Sequence, residues 1–305
     1  MVIDPVEVLK KTSTGIIPTS LPSVSSLPSV LPDPIDQQFV GEAGSKTLWV
    51  VFVVMVISSA VFTGLSWRVP AKRLYHVVTT LITIIAAISY FGMATGQGIS
   101  VNHISVRHQH DHVPDTYTDV QRQVYWARYV DWSLTTPLLL LDLALLAGLN
   151  GAHITIAIAA DLIMILTGLF AAFGSDDTPQ KWGWYTIACI AFLVIIWQLA
   201  INGNVQAKAK GDNVGKFFTA ISGFTLVVWT LYPIVWGIAD GSRKMSVDAE
   251  IITYAVLDIL AKPVFGTWLL YTHARVPETN VDLGGFWSEG LSREGGLRLG
   301  DDDGA

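Results

Sequence analysis

The chain has 305 residues, of which 51% are hydrophobic and 14% are charged, and its mean hydropathy is +0.47. Soluble domains carry about 25% charged residues, so this composition argues against a soluble protein and indicates lipid surroundings. The single cysteine, Cys189, excludes a disulfide framework and thiolate metal sites, and the net charge of −6 gives no sign of nucleic-acid binding.

The first 45 residues are rich in Ser, Pro and Thr and contain no long apolar block, so they are predicted to form a mobile, disordered extracellular tail. Seven apolar stretches follow, each near the roughly 20 residues that cross a bilayer core. They span residues 47–66, 76–100, 123–147, 153–174, 181–202, 216–239 and 249–273. Because their connections are short, an all-α bundle of seven transmembrane helices is predicted for residues 46–275, with a cytoplasmic tail at 276–305.

The distribution of basic residues predicts the orientation of this bundle. Arg68, Lys72 and Arg73 follow the first stretch, and Lys208, Lys210 and Lys216 follow the fifth, so these loops are expected to be cytoplasmic. The opposite loops still carry basic residues, namely Arg107, Arg122, Lys181, Arg243 and Lys244. The bias therefore favours an extracellular N-terminus and a cytoplasmic C-terminus, and the plasma membrane is the expected location.

The longest connection lies between the second and third stretches and is predicted to contain a short β-hairpin around Pro114. Its four histidines, His103, His108, His110 and His112, raise the question of a metal site. Their spacing in a polar segment fits no standard structural zinc site, so a solvated loop without a metal is expected.

Six charged residues lie within the apolar cores of the third, fourth and seventh stretches: Arg128, Asp131, Asp142, Asp161, Asp258 and Lys262. Each such group costs about 2.5 to 3.5 kcal/mol at the centre of a membrane helix. They must therefore face the interior of the bundle. A structural salt bridge explains one or two of them, but the six together favour a functional path.

Helical spacing groups these residues on common faces. Arg128, Asp131 and Thr135 are separated by three and four residues, and Asp142 lies eleven residues beyond Asp131, within about 20° of the same face and about 16 Å along the axis. Asp142 thus places a second carboxylate at another depth.

In the seventh stretch, Asp258 and Lys262 are four residues apart and share a face. An internal salt bridge is one interpretation. The other is that a buried lysine amine forms a Schiff base with an aldehyde, with Asp131 and Asp258 as counter-ions. Aromatic residues at helical spacing in the sixth stretch are either ordinary core or the wall of an apolar cofactor slot.

Three strings carry a specific resemblance to a known family: YWARYVDWSLTTPLLLLDLALLAG, WTLYPIVWGIADG and YAVLDILAKPVFG. They resemble the microbial (type 1) rhodopsins, which bind retinal, and the similarity covers about residues 46–275. The loop strings HDHVPDTY and FGSDDTPQKWGWYTIACIA resemble those of fungal, bacteriorhodopsin-like proton-pumping members most.

The resemblance implies a role for each buried charge. Lys262 would hold all-trans retinal as a protonated Schiff base, with Asp131, Asp258 and Arg128 as the counter-ion complex. Asp131 would accept the proton, and Asp142, hydrogen-bonded to Thr79, would later return one. Glu250 and Asp240 would form the proton-release group at the outer surface.

The resemblance also implies the retinal pocket and its neighbourhood. Its walls would be Tyr129, Trp132, Thr135, Thr136, Leu139, Met164, Gly168, Trp229, Tyr232, Pro233 and Trp236, with either Trp184 or Tyr185 at the ring end. Asp161 is expected to be a neutral acid hydrogen-bonded near Thr136, and Tyr90 is expected near Arg128. Pro263 departs from many relatives and predicts a distorted helix at Lys262, because proline removes a helix hydrogen bond.

The predicted function is a light-driven outward proton pump and not an enzyme. The alternative is a sensory photoreceptor with the same chromophore that signals through a partner, and Asp142 weighs against it. A light-gated channel is disfavoured because the second stretch, VVTTLITIIAAISYFGMA, offers few polar residues. The lipid bilayer and protons are the expected partners, nucleic acid is not, and a homo-oligomer is left open.

Overall fold

A computed structural model of the chain describes residues 35–68, 74–112, 115–174, 179–276 and 279. Within these residues, seven helices are long and apolar enough to cross a membrane: α1 (Glu42–Ser66), α2 (Leu74–Ala94), α3 (Trp126–Ala147), α4 (Gly151–Ala172), α5 (Pro179–Lys210), α6 (Asp212–Gly241) and α7 (Val247–His273). The predicted seven-helix bundle is therefore confirmed, and the chain is an integral membrane protein.

Local sequence signals set several helix ends. Gly148 ends α3 in the left-handed conformation, at φ 78°, and its N–H bonds back to the last turn of the helix. The side chains of Asn150 and Ser246 accept hydrogen bonds from backbone N–H groups in the first turns of α4 and α7. The second stretch was predicted to be helical to residue 100, but α2 ends at Ala94 and the chain turns through Gly96, at φ 81°.

A three-stranded sheet lies between α2 and α3 in the sequence. Strands β2 (Ser100–His108) and β3 (Thr116–Val124) pair antiparallel, which confirms the predicted hairpin, although Pro114 lies outside the described residues. Strand β1 (Asp36–Gln38) pairs parallel to β3. This strand and the start of α1 at Glu42 correct the predicted tail boundary at residue 45, while residues 1–34 lie outside the described part.

The histidines of the hairpin contact neighbouring side chains. The His108 and His110 rings lie 3.1 Å from the hydroxyls of Thr118 and Thr116. The described residues contain no group of three or more His, Cys, Asp or Glu side chains that could hold a metal ion.

Helix α7 is π-helical from Leu260 to Val264, the segment that contains Lys262. Pro263 has no N–H to donate to the carbonyl four residues earlier, so the turn widens, and the Phe265 N–H bonds back to the carbonyl of Leu260. The distortion that Pro263 predicts is therefore present as a π-helical turn at Lys262.

Helices α3 and α7 occupy the centre of the bundle. Their most apolar windows are 61% and 56% buried, against 22% for α1. These two helices carry five of the six charges found in the apolar cores of the stretches. The most charged helices are thus the most enclosed, as the cost of exposing charge to lipid requires.

Candidate functional site

The Lys262 amine lies between two carboxylates at the centre of the bundle. Its Nζ is 2.5 Å from Asp131 Oδ2 on α3 and 3.2 Å from Asp258 Oδ1, which lies on α7 together with Lys262. All three side chains are at most 2% exposed. The two predicted counter-ions therefore both reach the predicted lysine, and the four-residue spacing in α7 places Asp258 beside it.

Asp258 also accepts hydrogen bonds from three aromatic side chains. The Tyr90 hydroxyl donates to Oδ2 at 2.6 Å, and the Tyr232 hydroxyl and Trp132 Nε1 donate to Oδ1 at 2.8 and 3.4 Å. Tyr90, which was expected near Arg128, interacts electrostatically with Arg128 and donates its hydrogen bond to Asp258. A carboxyl group that accepts from every side has no acceptor for a proton of its own, so Asp258 is ionised.

Asp131 is hydrogen-bonded much less. Its Oδ2 accepts from Lys262, whereas its Oδ1 is buried and has no hydrogen-bond partner within the described residues. Thr135, one turn later, donates to the backbone carbonyl of Asp131. Of the two carboxylates, Asp131 is therefore the one with a free oxygen that can take a proton.

A cavity is lined by Lys262 and Asp258. Of the predicted pocket residues, its walls include Tyr129, Trp132, Thr136, Leu139, Met164, Gly168, Tyr185, Trp229, Tyr232, Pro233 and Trp236. Tyr185 stacks on Trp236 with ring centroids 4.9 Å apart, and of the two alternatives on α5 it is Tyr185 that lines the cavity.

Two predicted pocket residues do not line this cavity. Trp184 lies against Phe170, with ring centroids 5.3 Å apart, because the rotation of α5 directs Tyr185 inward instead. Thr135 is fully buried, but its hydroxyl bonds to its own helix.

The sequence reasoning missed six lining residues: Ile165, Ala188, Cys189, Phe192, Tyr254 and Ala261. Those on α5 lie three, four and seven residues after Tyr185, so helical spacing from that residue would have found them. Cys189 is half-buried, and its side chain contributes to the cavity wall.

Asp142 lies in the half of α3 beyond the cavity and is completely buried. Neither carboxyl oxygen has a hydrogen-bond partner within the described residues. The expected bond to Thr79 is absent, because the Thr79 hydroxyl donates to the carbonyls of Tyr75 and His76 in its own helix. A buried carboxylate without a partner is strongly disfavoured, so Asp142 is in its neutral form.

Asp161 on α4 meets Thr136 on α3, as expected. Their oxygens are 2.6 Å apart, and the same Thr136 hydroxyl is 2.6 Å from the carbonyl of Trp132. One hydroxyl proton cannot serve both oxygens. The arrangement is satisfied when Thr136 donates to the carbonyl and a protonated Asp161 donates to Thr136.

A second charged cluster lies at the opposite end of α3 and α7. Glu250 accepts from Arg128 Nη1 at 2.7 Å and from Arg122 Nη2 at 2.6 Å, through different oxygens. Asp240 Oδ1 is 3.6 Å from Arg122 Nε, and the Tyr129 hydroxyl donates to Asp240 Oδ2 at 3.3 Å. The two predicted release residues are thus brought together.

Arg122 was counted as a loop charge, but it is 2% exposed and part of this cluster. It lies on β3, outside the apolar stretches, so hydropathy gave no signal for its burial. Arg128 is directed to Glu250 and packs 4.2 Å from the centre of the Tyr254 ring.

Comparison with known proteins gives one consistent result. The family model described as bacteriorhodopsin-like protein matches residues 42–276. Opsin-1 of Neurospora crassa is 56% identical over 279 residues, covering 91% of this chain and 92% of that protein.

Solved structures are similar as well. A light-driven proton pump from Leptosphaeria maculans is 65% identical, with a TM-score of 0.79, covering 80% of this chain and all of that one. The light-driven proton pump of Coccomyxa subellipsoidea is 37% identical, with a TM-score of 0.71, covering 78% of this chain and all of that one.

Proposed function

The chain belongs to the bacteriorhodopsin-like family of microbial rhodopsins, and from this premise we propose that it is a light-driven outward proton pump that holds retinal as a protonated Schiff base at Lys262. The observation that carries the proposal is the unequal pair of carboxylates around Lys262 Nζ. Asp258 is saturated with donors, whereas Asp131 is closer and keeps a free oxygen. The similarity to a Leptosphaeria protein described as a light-driven proton pump supports the same function.

The cavity fits a long apolar aldehyde. Its walls are mainly aromatic and aliphatic side chains, and Lys262 is one of the lining residues, so its amine can reach a carbonyl carbon in the cavity. Retinal in the all-trans form, bound through that nitrogen, would supply light absorption and an isomerisation that moves the N–H. Tyr185 and Trp236, which both line the cavity, would be among the residues that hold retinal.

Asp131 accepts the proton in this mechanism. Its Oδ2 lies 2.5 Å from Nζ, within direct transfer distance, and no rearrangement of Asp258 is needed. Asp258 stays ionised because Tyr90, Tyr232 and Trp132 continue to stabilise its charge. Asp131 then carries the proton. Arg128, one turn earlier on α3, bonds to Glu250 and so connects this position to the release cluster.

Asp142 returns a proton to the lysine nitrogen. It is neutral in the resting protein and lies about 16 Å along α3 from Asp131, so entry and exit are separated. Pro137 interrupts the hydrogen bonding of α3 between the two carboxyl groups and is the proposed pivot for opening this half to water, together with Pro233 on α6. Directional transport follows from this separation.

The charge distribution supports an extracellular N-terminus in the plasma membrane. Arg68, Lys208 and Lys216 are exposed at one end of the bundle. At the other end, Arg122 and Lys181 are only 2% exposed, so they do not act as solvated loop charges. The excess of solvated basic charge on the proposed cytoplasmic side is therefore larger than the residue count of the loops suggests.

The test is to illuminate unbuffered cells that express the chain and contain all-trans retinal, and to record the external pH. We expect acidification that a protonophore abolishes and that Asp131→Asn prevents without loss of colour. Lys262→Ala is the control for the chromophore and should yield no coloured protein. A coloured wild-type protein that changes no pH would overturn the pump and favour the sensory alternative.

A further inference from the structure

Arg122 connects the hairpin to the two acids of the extracellular cluster. Its guanidinium binds Glu250 at 2.6 Å, approaches Asp240 at 3.6 Å, and donates to the Met245 carbonyl at 3.2 Å. It therefore touches α6, α7 and the loop between them while its own backbone belongs to β3.

Gln38 holds the same guanidinium from the other side. Its Oε1 accepts from Arg122 Nη1 at 2.8 Å, and the two residues are direct partners in the parallel register of β1 and β3. A buried guanidinium needs its donors satisfied, so Gln38 fixes the position of the charge. The neighbouring Gln37 is exposed on the same strand and pairs with Gln121 instead of Arg122.

The segment after β1 is anchored to the same region. The Val40 N–H donates to Gln123 Oε1 at 2.8 Å, and the Gly41 N–H donates to Asp248 Oδ1 at 2.6 Å. A Cβ atom at Gly41 or Gly44 would lie 2.6 or 2.5 Å from the Asp248 carboxylate, so both glycines permit this close approach. The start of the chain's described part is thus packed directly against the start of α7, two residues before Glu250.

We propose that Arg122 is a positioning residue for outward proton release, held by Gln38 of the N-terminal strand, and that its charge sets the pH at which the Glu250 and Asp240 cluster lets its proton go. The inference rests on the proposed pump. Glu250 accepts from a guanidinium at each oxygen and so carries no proton, which leaves Asp240, whose contacts are longer, as the acid that can hold one. The positive charge of Arg122 disfavours the addition of a proton to Asp240, so the proton on Asp240 is bound weakly.

Several other groups contribute to the electrostatics of this cluster and would be unchanged in the variants tested. They are Arg128, Tyr125 and Tyr129 from α3 and its approach, Lys181 from α5, and Asp248 and Tyr254 from α7. Burial raises the pKa of Tyr125 above its ordinary value, so this phenol stays neutral across the range to be measured. A difference in the pH dependence of release between wild type and Arg122→Gln therefore reports on the Arg122 charge.

The experiment measures flash-induced proton release from the full-length protein with bound retinal, using a pH-indicator dye, as a function of pH. The midpoint is the pH at which half of the molecules release their proton promptly after the flash. Below this pH the cluster keeps its proton and release is delayed. Arg122→Gln removes a cation within ionic contact of the acids and should raise the midpoint by about 1 to 3 pH units. Arg122→Lys retains the charge and should restore a midpoint near that of the wild type.

Gln38→Leu should raise the midpoint by a smaller amount, and Gln37→Leu should leave it unchanged. Equal midpoints in Arg122→Gln and wild type would overturn the inference, as would equal shifts in the two glutamine variants. If Arg122→Gln forms no coloured protein, the comparison of Gln38→Leu with Gln37→Leu decides alone. A wild-type protein that releases no proton would refute the pump and this inference with it, whereas wild-type release with an unmoved midpoint refutes the inference alone.

Discussion

Tyr90→Phe tests the hydrogen bonding around Asp258 without changing the volume of the core. Tyr90 on α2 is 2% exposed, and its hydroxyl lies 2.6 Å from Asp258 Oδ2 on α7. The substitution removes one oxygen and leaves the ring in place. Asp258 keeps its other donors at Oδ1, but Oδ2 loses its donor.

The expected loss follows from the charge of the acceptor. A hydrogen bond to an ionised group contributes about 1.5 to 3 kcal/mol to stability. Because every 1.4 kcal/mol is tenfold in an equilibrium constant, the unfolding equilibrium should shift by roughly 10- to 150-fold. The substitution raises the free energy of the folded state, because Asp258 is exposed to water or detergent in the unfolded state and does not depend on Tyr90 there.

The free energy of unfolding can be measured by SDS titration of the coloured protein in mixed micelles, in the dark, following the visible absorbance. Tyr75→Phe is the matched control, because Tyr75 is also on α2 and 1% exposed, but its hydroxyl donates to the Thr279 carbonyl over the longer distance of 3.4 Å. That distance is beyond a normal O–H···O bond, so the control should cost less than about 0.5 kcal/mol. Equal losses in the two variants would refute the assignment of an ionised, donor-saturated Asp258.

Three further changes probe other parts of the molecule. Asp142→Asn removes the neutral acid of the entry half, so the lysine nitrogen should regain its proton roughly 100-fold more slowly after a flash, at a rate that falls as pH rises. Thr136→Val deprives Asp161 of its partner and should lower the free energy of unfolding by about 1 to 3 kcal/mol. Gly41→Ala places a Cβ 2.6 Å from Asp248 Oδ2, so it should weaken the anchoring of α1 on α7 and lower the unfolding temperature.

Each change has a control or a contrary outcome. For Asp142→Asn, a reprotonation rate equal to that of the wild type would exclude Asp142 as the donor. Thr225→Val is matched to Thr136→Val, because the buried Thr225 hydroxyl donates to the Ile221 carbonyl in its own helix. A similar loss there would contradict the special role of Asp161. Gly64→Ala meets nothing within 4 Å and should be neutral or stabilising.

The sequence by itself determined the seven helices, the hairpin and the faces on which the buried charges lie. These features depend on local chemistry, because the bilayer fixes the length of an apolar stretch and the helical repeat fixes which residues share a face. The spacing of Asp258 and Lys262 was enough to place a carboxylate beside the amine. The motif strings were enough to identify the family.

Tertiary structure decided the contacts that join different helices and strands. Thr79 and Asp142 lie on different helices, and their separation depends on the rotation and depth of both, which neither sequence pattern encodes. The burial of Arg122 could not be predicted for a similar reason, since a strand residue in a polar segment gives no signal that three other elements will enclose it. The choice of Tyr185 over Trp184 likewise followed from the rotation of α5 against α6, because adjacent residues on a helix point about 100° apart and only packing selects which one faces the cavity.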